Sequence, residues 1–240
     1  MEPIFSRETP IPASLCDSTG RLSLQGAFSA FMDIATDHAE YLGIGFSRLS
    51  PRHLFWLTVK TKIRFYDRPA MCEPVRLVTW PEKPGPVRCN RSYEIRRGEE
   101  LLVAGRTEWA VINTATGAIT PSAEVFPPEL DCVQTASLTE SYARIPDRFE
   151  GIAPFAEYRV RSTDIDLGGH MNNAAYPRAL LGAFSNRELD AMNIRTIDLV
   201  FRAPCFEGEL LQMYKKEQEG ALDIRLARGE DTILLARLAE

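Results

Sequence analysis

The stretch that decides the fold and the candidate chemistry is Thr163-Asp164-Ile165-Asp166-Leu167-Gly168-Gly169-His170-Met171-Asn172-Asn173-Ala174-Ala175-Tyr176. It lies between a strand-like run, Tyr158 to Arg161, and a helix-like run, Pro177 to Met192. Two acids, one histidine and two asparagines therefore gather at a strand-to-helix corner. Loops at such corners commonly carry catalytic residues because a rigid scaffold holds them in place.

This corner has the parts of a hydrolytic site. Asn172 and Asn173 suit helix capping and Pro177 suits a first turn, so backbone N–H groups at the helix start are predicted to polarise a carbonyl oxygen. His170 is the candidate general base, and Asp166 is the candidate partner that fixes its tautomer. Residue types alone equally allow a structural turn in which these side chains have no catalytic role.

An internal repeat organises the chain. Asp17-Ser18-Thr19-Gly20-Arg21-Leu22 is similar to Asp166-Leu167-Gly168-Gly169-His170-Met171, 149 residues later, and each leads into a helix. A second pair, Ile63-Arg64-Phe65 and Leu199-Val200-Phe201, is 136 residues apart, so the first copy has 13 additional residues after its helix. The shared order of strand, helix and strands predicts a duplicated α+β unit. Arg21 occupies the position of His170, so only the second copy keeps a base.

The first copy has the clearer secondary-structure pattern. An apolar stripe at helical spacing predicts a helix from about Leu24 to Leu42. Four strands are expected at 55–64, 75–80, 87–96 and 101–113. We expect an N-terminal domain at residues 1–125, a proline-rich linker at 126–150 and a C-terminal domain at 151–240.

The sequence from Asp166 to Tyr176 resembles the signature of the acyl-ACP thioesterases, plant and bacterial double-hotdog enzymes that release fatty acids from acyl carrier protein. The family pattern is Asp-x-Asn-x-His-x-Asn-Asn-x-x-Tyr, and it falls on Asp166, Gly168, His170, Asn172, Asn173 and Tyr176. Segments of the first copy, including 31–43 and 108–117, are also similar to the family. The resemblance implies a tandem hotdog, in which a curved antiparallel sheet wraps a long central helix in each copy.

The resemblance also implies an activity, the hydrolysis of fatty acyl-ACP to free fatty acid and holo-ACP without a cofactor. Two positions depart from the family pattern. Gly168 stands where the family has an asparagine, and Pro204-Cys205 stands where the family usually has a glutamate, often followed by cysteine. Two alternatives therefore stay open: an acyl-CoA thioesterase, and a degenerate hotdog that binds acyl thioesters without cleaving them.

The acyl chain is expected to bind in the first copy, between its helix and its sheet. The candidate pocket walls are Phe28, Phe31, Met32 and Trp56, with Gly168 and Tyr176 as substrate-binding candidates in the second copy. Aromatic and aliphatic stripes of this kind are also typical of a plain core. Cys205 is a second catalytic candidate, a nucleophile paired with His170, although a strand cysteine is usually a small hydrophobe.

Composition excludes several classes of function. A net charge of -5 over 240 residues argues against a nucleic-acid partner. Five cysteines without metal-ligand spacing predict no metal site and a reducing cytoplasm, and the absence of an apolar run of about 20 residues predicts no membrane insertion. A homodimer is expected by analogy with other hotdog proteins.

Docking of acidic acyl carrier protein would need a local basic patch, because the overall charge offers no attraction. A solvated strand face explains the same basic residues equally well. The candidates are Arg48, Arg52, Lys60, Lys62, Arg64 and Arg68, or Arg88, Arg91, Arg96 and Arg97.

Overall fold

The computed structural model describes residues 2–240, so Met1, the first residue of the predicted N-terminal domain, lies outside the described residues. The chain forms two compact units. The first contains the chain up to Val59 and Ile63–Glu140, and the second contains Lys60–Lys62 and Ser141–Glu240. The predicted linker, 126–150, is therefore divided between the two units after Glu140.

The first unit combines one long helix with a largely antiparallel sheet, whose strand order is β1-β3-β4-β5-β2, with β6 paired to β5. Four predicted strands are confirmed to within two residues at their ends. The elements are β1 Phe5–Pro10, α1 Leu24–Tyr41, α2 Phe46–Leu49, β2 Leu54–Phe65, β3 Pro74–Pro81, β4 Cys89–Arg97, β5 Glu100–Asn113 and β6 Ile119–Thr120. The additional residues of the first copy form α2 and the turn Ser50–Arg52.

Helix α1 confirms the predicted helix, and both of its ends are capped. The Ser23 hydroxyl accepts a hydrogen bond from Gly26 N at 3.0 Å, and Gly43, with φ +69°, follows the C-cap. The buried stripe of α1 includes Phe31, whose ring stacks on Tyr93 of β4 at 4.8 Å. A Cβ on Gly105 of β5 would lie 2.5 Å from the Phe31 ring, so this close approach requires glycine.

The second unit repeats the plan with an antiparallel sheet in the order β8-β11-β10-β9-β7. Its first strand begins and ends two residues before the predicted run, 158–161. The elements are β7 Ala156–Arg159, α3 Ala175–Leu181, α4 Asn186–Ala191, β8 Thr196–Phe201, β9 Leu210–Gln218, β10 Ala221–Arg228 and β11 Asp231–Ala239.

The continuous helix predicted from Pro177 to Met192 is wrong, because two short helices, α3 and α4, occupy this region. Ser185 is the N-cap of α4, and its hydroxyl accepts a hydrogen bond from Glu188 N at 3.3 Å. The Glu188 carboxylate accepts one from Ser185 N at 2.8 Å. This capping box fixes the start of α4, whereas α3 ends after seven residues at Leu181, with Gly182 as its C-cap.

The corner loop has the same hydrogen bonds in both units, which supports the predicted repeat. Asp17 N donates to Arg21 O and Asp166 N donates to His170 O, both at 2.9 Å. In both units the segment after the next strand, β2 or β8, closes the loop in the same way. Leu22 N donates to Pro69 O and Met171 N donates to Cys205 O, both at 2.8 Å, and these two pairs have the spacings of 149 and 136 residues found in the sequence.

Candidate active site

The loop from Asp166 to His170 is a tight turn with a fixed backbone. Asp166 O accepts a hydrogen bond from Gly169 N at 3.0 Å, and Asp166 Oδ1 accepts one from Gly168 N at 2.8 Å. Gly169 has φ +75°, a conformation that favours glycine. The loop therefore holds Asp166 and His170 at its two ends, joined through their backbones.

His170 is half-buried, and its ring lies 5.1 Å from the ring of Phe206. No hydrogen bond joins the His170 ring to the Asp166 carboxylate within residues 2–240. The predicted role of Asp166 in fixing the histidine tautomer is therefore not present in this geometry. Leu167, at the tip of the loop, is 81% exposed, so the loop projects from the unit.

The two asparagines do different things. Asn172 is exposed, and its Oδ1 accepts a hydrogen bond from Ala174 N at 2.8 Å while its carbonyl oxygen accepts one from Ala175 N at 2.8 Å. These two amides are bonded within the turn, so they are not the free carbonyl-polarising groups that the sequence predicts. Asn173 is half-buried, and the structure gives its side chain no hydrogen bond to any of the described residues.

Tyr176 and Cys205 form a buried pair beneath the loop. The Tyr176 hydroxyl lies close to the Cys205 thiol, and Cys205 is 0% exposed. Burial raises the pKa of the Cys205 thiol to about 11, and burial, followed by the nearby Cys205, raises the pKa of Tyr176. A thiol with such a pKa is protonated at neutral pH, which is unfavourable for a nucleophile.

Asp164 supports the loop from below, a role that the sequence did not predict. Its carboxylate is 1% exposed and accepts hydrogen bonds from the Tyr158 hydroxyl at 2.7 Å, from Arg161 N at 2.9 Å and from Arg178 at 2.5 Å. Its carbonyl oxygen accepts one from Asn172 N at 2.7 Å. The sequence features that could have indicated this role are Tyr158, before the turn, and Arg178, on the helix after it.

Replacing Asp164 with asparagine is expected to lower the free energy of unfolding by about 1.5 kcal/mol, because charge-assisted hydrogen bonds to a buried group are lost. Urea unfolding measures the change. The matched control is Tyr158→Phe, which removes one donor and is expected to cost about 1 kcal/mol. An unchanged unfolding midpoint in Asp164→Asn would contradict this role.

The hydrogen bonds of Asp164 also make the stability of the protein depend on pH. Burial would raise the pKa of Asp164, but the hydrogen bonds from Arg161 N, Tyr158 and Arg178 outweigh it, so the pKa is lowered from 3.8. A lowered folded-state pKa contributes stability above the unfolded-state value and loses it as the pH falls through the folded-state value. We expect wild type to lose more stability than Asp164→Asn below about pH 4 in acid titrations of unfolding.

The corner loop of the first unit has two ion pairs that the corner loop of the second unit lacks. There the Asp17 carboxylate is paired with Arg68, and Arg21 donates to Asp67 at 3.1 Å. Pro204 stands at the position of Arg68, so Asp166 has no equivalent guanidinium. Two glutamates, Glu207 and Glu209, follow Pro204 and could replace the family's glutamate as a base, but Glu207 is exposed. Glu209 is engaged by Arg228 at 2.7 Å and by Phe206 N at 3.1 Å.

The residues predicted to wall an acyl pocket lie in the first unit. Phe28 and Phe31 are buried, whereas Met32 and Trp56 are half-buried. The Trp56 indole N–H donates to Ile44 O at 2.7 Å, and its ring is edge-on to Trp109 at 6.3 Å. These contacts hold Trp56 in place.

The predicted basic patches contain several cations that already have partners. Arg64 pairs with Glu140 at 2.9 Å, Lys62 with Asp198 at 3.3 Å, and Arg96 with Glu94 at 2.6 Å. Arg91 is buried rather than exposed, so it cannot belong to a docking surface.

Across residues 2–240, no group of three or more histidine, cysteine, aspartate or glutamate side chains could hold a metal ion. All five cysteines are free. Over the same residues, no helix has both the length and the apolar character needed to cross a membrane.

Two family models match the chain. The acyl-ACP thioesterase N-terminal domain matches residues 2–124, and the acyl-ACP thioesterase C-terminal domain matches residues 152–235. Among curated relatives, oleoyl-acyl carrier protein thioesterase 2, chloroplastic, from Arabidopsis thaliana is 24% identical over 197 residues, which are 75% of this chain and 53% of that protein. An acyl-[acyl-carrier-protein] hydrolase, FATB3, chloroplastic, from Cuphea viscosissima is 22% identical over 88% of this chain and 56% of its own length. The chain thus spans about half the length of these curated relatives.

Solved structures agree on the fold. An acyl-ACP thioesterase from Bacteroides thetaiotaomicron superposes with a TM-score of 0.88 at 21% identity, covering 99% of this chain and 97% of that one. The 12:0-ACP thioesterase from Umbellularia californica gives a TM-score of 0.83 at 18% identity, covering 100% and 97%. Because the two family models together match most of its length, the chain belongs to the acyl-ACP thioesterase family and has the tandem hotdog fold.

Proposed function

We propose that this chain hydrolyses the thioester of fatty acyl-ACP, releasing free fatty acid and holo-ACP, with His170 as the general base. The observation that carries the proposal is the contrast between the two corner loops. They share their backbone hydrogen bonds, yet Arg21 of the first is held by Asp67, whereas His170 of the second is half-buried beside Phe206. The names of the relatives support the same reaction and acyl carrier protein as partner.

In the proposed reaction, His170 takes a proton from water as the water attacks the thioester carbonyl, and the thiolate leaves. Asp166 is the proposed positioning residue. Its Oδ1 is bonded to Gly168 N, while its Oδ2 accepts no hydrogen bond from residues 2–240 and is therefore available to His170 after a side-chain rotation. Asn173, whose amide is also available, is the proposed donor to the carbonyl oxygen, and Asn172 shapes the turn.

Water is favoured over Cys205 as the nucleophile because the thiol is buried and its pKa is raised to about 11. We expect Cys205→Ala to keep kcat/KM within about tenfold of wild type, whereas loss of a true nucleophile costs about 10⁴-fold or more. Steady-state hydrolysis of acyl-ACP measures the difference. A loss of the larger size with an unchanged melting temperature would assign the acyl-enzyme route instead.

The proposal is tested by incubating the purified chain with a ladder of acyl-ACP and acyl-CoA substrates and following the free thiol. Turnover on acyl-ACP with a chain-length optimum supports it. Faster turnover on acyl-CoA at every length would support the acyl-CoA thioesterase instead. Tight binding without turnover on any substrate would mean that Gly168 and Pro204 have produced a binding protein. The predicted homodimer stays a prediction, which sedimentation equilibrium measures.

A further inference from the structure

The sheet of the first unit has a polar stripe on the face that α1 covers. Alternate residues of a strand share a face, so Arg91 and Tyr93 of β4 lie on the same side, and Tyr93 packs on Phe31 of α1. Strand register adds Thr79, which is opposite Tyr93, and Trp109, which is opposite Cys89. A face between helix and sheet is ordinarily apolar, so these polar groups need an explanation.

Arg91 is the most costly of these groups. It is 7% exposed, and its Nη1 donates to His38 Nδ1 at 3.0 Å and to Thr79 Oγ1 at 3.3 Å. Throughout residues 2–240 no carboxylate pairs with it, and its Nε and Nη2 donate no hydrogen bond. A buried charge without a counter-ion is strongly unfavourable. A guanidinium in this state is suited to an anion that uses Nε and Nη2 together.

His38 does not supply the missing negative charge. Burial and the Arg91 guanidinium lower the pKa of His38 to about 4, so its ring is neutral at physiological pH. With Nδ1 accepting from Arg91, Nε2 carries the proton and donates to Glu2 O at 3.2 Å. The histidine therefore fixes the position of the guanidinium and leaves its charge uncompensated.

Three further polar atoms on this face are buried without a hydrogen-bond partner in the part of the chain that the structure describes: Tyr93 Oη, Trp109 Nε1 and Thr58 Oγ1. The Tyr93 hydroxyl lies near the side chains of Thr107 and Trp109, but the geometry does not make a hydrogen bond. Thr58 shares the face with Trp56, which is edge-on to Trp109. Buried polar groups are normally satisfied, so the Tyr93 hydroxyl beside the unpaired Arg91, with two further unsatisfied atoms on the same face, indicates a missing ligand.

We propose that this face binds the far end of the acyl chain and that the preferred substrates carry a carboxylate there, which pairs with Arg91. The inference rests on the proposed function, since it names the substrate class of that hydrolase. A methyl-ended chain would bury apolar atoms against unsatisfied donors and an unpaired cation, whereas a carboxylate satisfies both. Sites built around buried polar groups reject analogues that leave those groups unpaired.

The first test compares two ACP thioesters of equal length, decanoyl-ACP and the monothioester of decanedioic acid. We expect wild type to favour the carboxyl-ended chain in kcat/KM by tenfold or more. Arg91→Gln is expected to reverse the preference, and Tyr93→Phe, which keeps the ring stacked on Phe31, to reduce it. The control is His53→Asn, at an exposed residue with φ +56°, and it should keep the wild-type ratio. Preference for decanoyl-ACP in wild type, or an unchanged ratio in Arg91→Gln, would overturn the inference.

A second measurement separates this inference from the hydrolase assignment. Calorimetry with octanoate and 1-octanol at pH 7.5 needs no turnover. We expect octanoate to bind wild type stoichiometrically and Arg91→Gln at least tenfold more weakly, with 1-octanol insensitive to the substitution. If no thioester is cleaved but octanoate binds in this way, the hydrolase proposal fails and the carboxylate site stands. Equal octanoate binding by wild type and Arg91→Gln, or no binding by either, would refute the site.

Discussion

Replacing His170 with alanine is expected to lower kcat/KM for acyl-ACP by about 10²- to 10⁴-fold, the usual contribution of a positioned general base. The loop should persist, because the hydrogen bond from Asp166 N to His170 and the bond from Gly169 N to Asp166 both involve backbone atoms. The loss should therefore appear in turnover, while acyl-ACP binding and the melting temperature change little. Steady-state kinetics, calorimetry of acyl-ACP binding to the variant and thermal unfolding measure these three quantities.

The chain offers a matched control in His53, an exposed histidine of the first unit. His53 has φ +56°, so asparagine, which tolerates this conformation, is the appropriate replacement. His53→Asn should keep wild-type turnover. Equal activity of His170→Ala and wild type would remove the general-base proposal, and Asp166→Asn would then have no reason to affect turnover either.

The fold was largely readable from local signals. Helix α1 was predicted from its apolar stripe, and the structure adds caps next to it in sequence, Ser23 before the helix and Gly43 after it. The repeat was readable because a tight loop needs glycine and an aspartate at fixed spacing, and these survive in both copies as Asp17 with Gly20 and Asp166 with Gly169. The helix and the repeated loop both depend on residues that are close in sequence, so the spacing of residue types in the sequence is enough to predict them.

The missed features depend on partners far apart in the chain. The carboxylate of Asp164 is satisfied by Arg178, fourteen residues away on another element. Arg91 was assigned to an exposed face, yet it packs against His38 of α1, 53 residues away. Strand alternation gives two faces, but only the packed helix decides which face is buried, so charge patterning alone placed Arg91 on the wrong side.

The break between α3 and α4 was missed for a different reason. Apolar spacing continues from Pro177 to Met192, and the periodic pattern hid a second cap at Ser185. The capping box with Glu188 was present in the sequence, but it competes with an otherwise helical stretch. Two short helices form because the capping box satisfies backbone N–H groups at the start of α4. A continuous helix would instead place Gly182 in its interior, where glycine is unfavourable.

The second large effect is expected at Gly26, where α1 crosses the corner loop of the first unit. A Cβ at this position would overlap the carbonyl oxygen of Leu15. That oxygen cannot readily move, because Ser23 donates to it from both its backbone N and its hydroxyl, each at 2.8 Å. The equivalent residue of the second unit, 149 positions later, is Ala175, which is tolerated because α3 starts two positions later relative to the loop than α1 does.

Gly26→Ala is therefore expected to destabilise the protein, although helix propensity alone predicts the opposite. Propensity favours alanine over glycine by about 1 kcal/mol, whereas overpacking costs about 1–3 kcal/mol, and a clash with a fixed backbone atom belongs at the upper end. The net loss should be about 2 kcal/mol, since the steric effect is the larger. Urea unfolding measures it, with Thr36→Ala on the exposed side of α1 as the control, expected within about 0.5 kcal/mol of wild type. A stabilised Gly26→Ala would mean that Leu15 moves away and that the loop is not fixed by Ser23.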